Sequence, residues 1–88
     1  MIFISFGKLR KKPTKDMSAS STKIIQEFKE HGNKILGFYW TLGRYDGVVI
    51  SEAPDEKTLM KYLLRFADFV STETLVAVTA EEAIKLVE

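Results

Sequence analysis

Apolar and polar residues alternate along two neighbouring segments, residues 34–42 and 45–53, which Gly43 and Arg44 separate. Alternation over this length is typical of β-strands that are buried on one face. A two-residue loop that begins with glycine favours a type II′ turn, because its first position needs a positive φ. The pattern therefore predicts a tight β-hairpin.

Side chains along the strands of this hairpin point alternately to its two faces. One face pairs large residues with small ones, such as Trp40 with Gly47, and we assign it to the core beneath the helices. The members of this face are Leu36, Phe38, Trp40, Leu42, Tyr45, Gly47, Val49 and Ser51. The other face is too polar for a core and too apolar for water, so we expect a partner surface to cover it. Its members are Ile35, Gly37, Tyr39, Thr41, Asp46, Val48, Ile50 and Glu52.

The remaining pattern predicts two further strands and three helices. Apolar runs indicate strands at residues 1–6 and 74–78. Apolar residues at helical spacing indicate helices at about 16–31 and 56–69. A short C-terminal helix is expected after Thr79, which begins a capping box with the glutamates that follow it.

Local signals mark where these elements begin and end. Gly7 is expected to end the first strand, and Gly32 is expected at the C′ position of the first helix. Asp55 is a good N-cap for the second helix, directly after Pro54 breaks the preceding strand.

The predicted order is strand, helix, strand, strand, helix, strand and a short helix, which is the α+β ferredoxin-like βαββαβ arrangement. Right-handed crossovers then place both long helices on one face of a four-stranded antiparallel sheet. The opposite face stays bare, and two such faces can stack to close a barrel between protomers. We therefore expect a single domain over residues 1–88 that forms a homodimer or higher homo-oligomer through this open sheet face.

Composition and charge exclude several classes of protein. The 88 residues are 45% hydrophobic and 28% charged, as in an ordinary globular domain, and the net charge of +1 gives no general attraction to nucleic acid or membranes. The absence of cysteine excludes disulfides and thiolate metal sites. No apolar run reaches the length of a membrane span and no signal peptide is recognised, so we expect a soluble cytoplasmic protein.

Two basic features have simple interpretations. The basic segment at residues 8–15 is interpreted as a solvated loop rather than a nucleic-acid site, because no aromatic residue is interleaved to stack on bases. His31, the only histidine, is expected to interact with the dipole at the C-terminal end of the first helix rather than to act as a base or metal ligand. We therefore expect no metal site, and no cofactor motif is present.

The motif around the hairpin resembles the GYD-domain family. The segments that carry the resemblance are Phe38-Tyr39-Trp40-Thr41-Leu42-Gly43-Arg44-Tyr45-Asp46, Val48-Val49-Ile50, Glu52-Ala53-Pro54-Asp55, Thr72-Glu73-Thr74-Leu75 and Glu81-Glu82. The family is named for the glycine, tyrosine and aspartate that match Gly43, Tyr45 and Asp46. The resemblance implies a dimeric α+β barrel and no particular activity.

The hairpin is also similar to the effector-binding domain of leucine-responsive transcription regulators. In those proteins the equivalent region helps to bind small ligands at subunit contacts. Because this chain has no helix-turn-helix, the similarity implies the sensing half alone, and this is an analogy of fold.

Four polar residues of the open face form the candidate site. Tyr39, Thr41 and Asp46 are expected to cluster, with Glu52 further along, where they can hydrogen-bond a small polar metabolite between protomers. A simpler interpretation is that Asp46 only stabilises the turn by pairing with Thr41 or Arg44.

Two other functions are compatible with the sequence. In a cofactor-independent enzyme of the monooxygenase or isomerase type, Tyr39 or Asp46 would act as acid or base inside the closed barrel. No histidine, cysteine or lysine joins the cluster, so a binding module is favoured over an enzyme. The third function is a purely structural partner without a ligand.

Overall fold

A computed structural model covers residues 1–88 of the chain. Its elements are β1 (Ile2–Leu9), α1 (Lys15–Glu30), β2 (Lys34–Trp40), β3 (Gly47–Glu52), α2 (Glu56–Phe66), β4 (Val70–Ala77) and α3 (Ala80–Lys85). All strand pairs are antiparallel, and the strand order in the sheet is β2-β3-β1-β4. The predicted ferredoxin-like topology, with a four-stranded sheet and a short C-terminal helix, is confirmed.

The central strand β1 is longer than predicted. It continues through Gly7 to Leu9, so the prediction that Gly7 ends the strand is wrong, and the basic loop is correspondingly shorter. Gly7 pairs with Gly47 of β3 on one side and with Thr72 of β4 on the other. Neighbours on both sides satisfy the backbone here, and this overrides the weak strand propensity of glycine.

Most helix ends follow the predicted local signals. Asp55 caps α2 by accepting a hydrogen bond from the Thr58 backbone N at 2.8 Å, and Thr79 caps α3. Gly32 follows α1 with φ of 87°. The cap that the sequence analysis missed is Thr14, whose hydroxyl accepts from the Met17 backbone N at 3.2 Å.

The hairpin has a wider loop than predicted. The last pair of the ladder is Trp40 with Gly47, and residues 41–46 connect the strands. The Thr41 backbone N donates to the Asp46 carbonyl at 2.9 Å, and Gly43 has the expected positive φ, 108°. The two-residue turn is wrong because contacts with β1 draw Tyr45 and Asp46 away from the ladder.

A β-bulge in β2 changes which side chains face the helices. The pairing shifts between Ile35 and Gly37, and Ile35 rather than Leu36 pairs with Ser51. Ile35 therefore packs against the core, whereas Leu36 is 51% exposed. The predicted faces of these two residues are wrong because the extra residue of a bulge reverses the alternation.

The core lies between the helices and one face of the sheet. Its buried cluster consists of Phe3, Ile24, Phe28, Ala53, Leu59 and Tyr62. Trp40 is on the helix side of the sheet, as predicted, but it is 71% exposed because it stands at the hairpin end of β2. Only 11 of the 88 residues are buried, and α3 buries none. The chain thus folds into a thin two-layer structure with much apolar surface uncovered.

Replacing Gly32 by alanine tests whether its positive φ stabilises the end of α1, and the same change at Gly47 is the control. Gly32→Ala places a side chain at positive φ and is expected to destabilise the protein by about 1–2 kcal/mol. In the control Gly47→Ala, the new Cβ would lie 3.4 Å from the Tyr39 carbonyl oxygen, an ordinary contact, and we expect a change within about 0.5 kcal/mol. Urea unfolding measures both variants, and equal losses would contradict the role of Gly32.

Candidate functional site

The structure separates the four residues that were predicted to bind a ligand. Tyr39 and Glu52 lie on the open sheet face, but Tyr39 pairs with Val48, four residues along β3 from Glu52, which is a separation of about 13 Å. Thr41 lies in the hairpin loop, where its hydroxyl donates to the Tyr45 carbonyl at 2.7 Å. Asp46 lies on the helix side of the sheet. The predicted cluster on one face is therefore not formed, and the ligand-binding role of these residues stays a prediction.

Asp46 fastens the hairpin loop to β1. Its Oδ2 accepts a hydrogen bond from the Leu9 backbone N at 2.8 Å and lies 3.9 Å from Lys8 Nζ. Its own backbone N donates to the Gly7 carbonyl at 2.8 Å. Asp46 therefore has a clear structural role, with partners on β1 rather than the expected side chains of Thr41 and Arg44. Tyr39 and Asp46, the two alternatives for the acid or base in the catalytic hypothesis, lie on opposite faces of the sheet.

The open sheet face is contiguous and mainly apolar. Its apolar members are Ile2, Ile4, Phe6, Val48, Ile50 and Leu75, which the strand registers place side by side on three adjacent strands. No helix of the chain covers this face, because α1 and α2 both pack on the other side.

Tyr45 lies at the rim of the open sheet face, and its predicted position in the core is wrong. Its ring packs on Phe6 with 4.9 Å between ring centroids, and its hydroxyl donates to the carboxylate of Glu73. This hydrogen bond raises the pKa of Tyr45 above its ordinary value. The contact with Phe6 thus holds the Tyr45 ring against β1.

A cleft of about 370 Å³ lies on the other side of the sheet, beneath the helices. Its floor consists of small residues on adjacent strands: Ser5, Gly7, Gly47 and Ser51. Ile24 and Phe66 belong to its roof, and Trp40 belongs to its lining at the hairpin end. The pairing of large with small residues predicts a helix-covered face, but the empty space that the helices leave above the small residues was not predicted. The sequence did contain a signal for this cleft, because its four small floor residues fall on one face of two paired strands.

Apart from Asp46, the polar side chains of the cleft are uncharged, and most of them are serines and threonines. The Ser51 hydroxyl is buried and has no hydrogen-bond partner, whereas the Ser5 hydroxyl lies 2.9 Å from the Thr74 hydroxyl. No lysine, arginine or histidine lines the cleft, and Asp46 is its only charged residue. The cleft is therefore suited to uncharged rather than anionic molecules.

His31 occupies the end of α1, as predicted, and has an additional contact. Its Nδ1 lies 2.8 Å from the Tyr62 hydroxyl, which places a polar partner beside a tyrosine that is otherwise buried against Phe28. No group of three or more histidine, cysteine, aspartate or glutamate side chains is arranged to hold a metal ion. No helix combines the length and apolar composition that crossing a bilayer requires.

The βαββαβ order and the bare sheet define an α+β domain of the ferredoxin-like class. The sequence model of the GYD domain family matches residues 2–87. The chain therefore belongs to the GYD domain family. No curated protein matches it by sequence.

Several solved structures are similar to the chain. MtbAldR is 12% identical with a TM-score of 0.57, and the match covers 89% of this chain and 52% of that protein. An AsnC family transcriptional regulator from Agrobacterium tumefaciens is 17% identical with a TM-score of 0.51, and the match covers 86% of this chain and 51% of the regulator. The chain thus spans about half the length of these two proteins.

A designed protein has the same fold. The de novo designed protein Foldit4 is 12% identical with a TM-score of 0.50, and the match covers 89% of this chain and all of the designed one. At these identities the likeness concerns the fold alone. Because the fold also exists in a designed sequence, function has to be argued from particular residues.

Removing the Asp46 carboxylate tests how the loop is held. Asp46→Ala leaves the Leu9 backbone N without its acceptor, and we expect a loss of about 1–2 kcal/mol in the free energy of unfolding. Asp46→Asn keeps an oxygen acceptor and is the matched control, with a smaller expected loss. Urea unfolding gives both values, and an Asp46→Ala protein as stable as the parent would refute this role.

The contact between Tyr45 and Glu73 predicts a pH dependence. The hydrogen bond raises the pKa of Tyr45 above 10.0, so its stabilisation is complete below pH 10.0 and is lost as the pH rises through the higher folded pKa. We expect Tyr45→Phe to be less stable than the parent at neutral pH, and this difference to shrink in strongly alkaline solution. Urea unfolding at both pH values measures it, and a difference that does not change with pH would exclude the hydrogen bond.

Proposed function

We propose that this protein is a small homo-oligomeric binding module whose protomers associate through the open sheet face. The observation that carries the proposal is the contiguous apolar surface of β1, β3 and β4, which no element of the protomer covers. Stacking two such faces would bury these side chains in a second core. Burial of apolar surface is the main favourable term in association.

The exposed area of the protomer supports this proposal. A compact monomer of 10.0 kDa is expected to expose about 5,200 Å². The chain exposes 6535 Å², about a quarter more. This excess is of the order of the roughly 800 Å² that each partner buries in a standard interface. This excess, to which the exposed helix α3 also contributes, supports the proposed association.

The polar residues of the open sheet face are the groups that would meet a metabolite between protomers. Tyr39 is 57% exposed, and its ring lies over Gly37, where an added Cβ would come within 2.9 Å of the ring. Glu52 lies at the opposite end of the same face. In the proposed assembly each of these two groups would be available, at its own end of the face, to hydrogen-bond a small polar ligand, whereas Asp46 lies on the helix side.

A charge placed on the open sheet face tests the association. We expect the parent to have a solution mass that is a multiple of 10.0 kDa. Ile50→Glu is expected to yield monomers, because association would bury the new carboxylate without a partner. Met60→Glu is the control, since Met60 is 54% exposed on α2 and away from that face.

Light scattering after size-exclusion chromatography measures the mass, and circular dichroism checks that each variant is folded. A monomeric parent across the accessible concentrations would refute the proposal. So would dissociation by Met60→Glu to the same extent as by Ile50→Glu.

A further inference from the structure

We propose that the cleft between the helices and the sheet binds an uncharged, mainly apolar aromatic molecule that carries one hydroxyl or carbonyl group. This site lies on the opposite side of the sheet from the open sheet face, and it does not depend on the proposed association.

The size of the cleft supports a ligand. Protein interiors contain few voids larger than a water molecule, whereas ligand pockets measure about 300–1,000 Å³. The cleft, at about 370 Å³, falls in the second class. Its floor contains Gly7 and Gly47 as direct neighbours on β1 and β3, and neither residue has a side chain to fill the space beneath the helices.

One polar atom indicates how a ligand would be oriented. Ser51 is 2% exposed, it lines the cleft, and its hydroxyl has no hydrogen-bond partner. Buried hydroxyl groups in proteins are nearly always paired, because an unpaired one keeps the full penalty of desolvation. The Ser51 hydroxyl is enclosed by protein atoms, so a hydroxyl or carbonyl oxygen on a ligand would supply the missing partner after the side chains around it shift.

The remaining lining defines the chemical class. No cationic side chain lines the cleft, so a bound carboxylate or phosphate would be buried without a counter-charge. Phe38 and Trp40 also line it and are 46% and 71% exposed, which leaves two aromatic rings available to pack on a ring of the ligand.

Three probes with the same ring system test this inference: naphthol and naphthoate, substituted at the same ring position, and unsubstituted naphthalene. Each is titrated into the isotope-labelled full chain, and amide chemical shifts are followed by NMR. We expect naphthol to bind best, with shifts at Gly7, Gly47 and Ser51 and none confined to the open sheet face. Naphthoate is expected to bind at least about tenfold more weakly, because its charge has no partner in the cleft.

Two pairs of variants locate the site. Ser51→Ala is expected to weaken naphthol binding by about fivefold to tenfold and to leave naphthalene binding unchanged, whereas the control Ser71→Ala, at an exposed position, changes neither. Ser21→Phe places a ring in the cleft and is expected to abolish binding of all probes. Its neighbour Ser20, exposed and outside the lining, gives the matched control Ser20→Phe.

Three results would overturn the inference: no binding of naphthol, equal affinities for naphthol and naphthoate, or full affinity in the Ser21→Phe protein. Ile50→Glu separates this inference from the proposed association. If Ile50→Glu is monomeric and still binds naphthol, both stand. If the parent is monomeric and binds naphthol, only the association fails.

Discussion

The pairing of β1 with a neighbour on each side is the constraint on which the rest of the structure depends. Its register with β3 and β4 places Phe3 against the helices and Phe6 on the open sheet face. A slip of one residue would exchange these two faces, because successive side chains point in opposite directions. The contacts of Asp46 with Leu9 and of Ser5 with Thr74 connect β1 to the hairpin loop and to β4, and both depend on this register.

The two faces that β1 creates differ in how much of them is covered. On the helix side, Phe3 is 1% exposed and belongs to the core, yet the glycines and serines nearer the hairpin leave a cleft. On the other side, Phe6 has the ring of Tyr45 and its strand neighbour Val48, and Ile50 has its strand neighbour Ile4, but no helix packs on them. One protomer therefore satisfies only part of its apolar surface, and both proposals above follow from where that surface is left.

The order of elements could be predicted from the sequence because its signals are local. Asp55, Thr79 and Gly32 act within one turn of their own helix, and the apolar periodicity of each segment is independent of the others. The strand order then follows from general rules of chain connection.

The details of the candidate site could not be predicted, because they depend on contacts between distant residues. Tyr45 leaves the hairpin ladder to pack on Phe6, and Asp46 leaves it to bind the Leu9 backbone N. The alternation rule assumes an uninterrupted ladder, so it placed both residues on the wrong face. The bulge at Leu36 and the exposure of Trp40 were missed for other reasons, because the first interrupts the pairing of β2 with β3 and the second follows from the place of Trp40 at the end of its strand.

The bulge in β2 has a consequence for aggregation. β2 and β4 are the outer strands of the sheet, and each has a row of backbone groups available to pair with another chain. The irregular spacing between Ile35 and Gly37 interrupts that row on β2, so a regular strand cannot add along its whole length. Continuous growth of sheets into fibres needs two competent edges, and the interruption in β2 removes one of them.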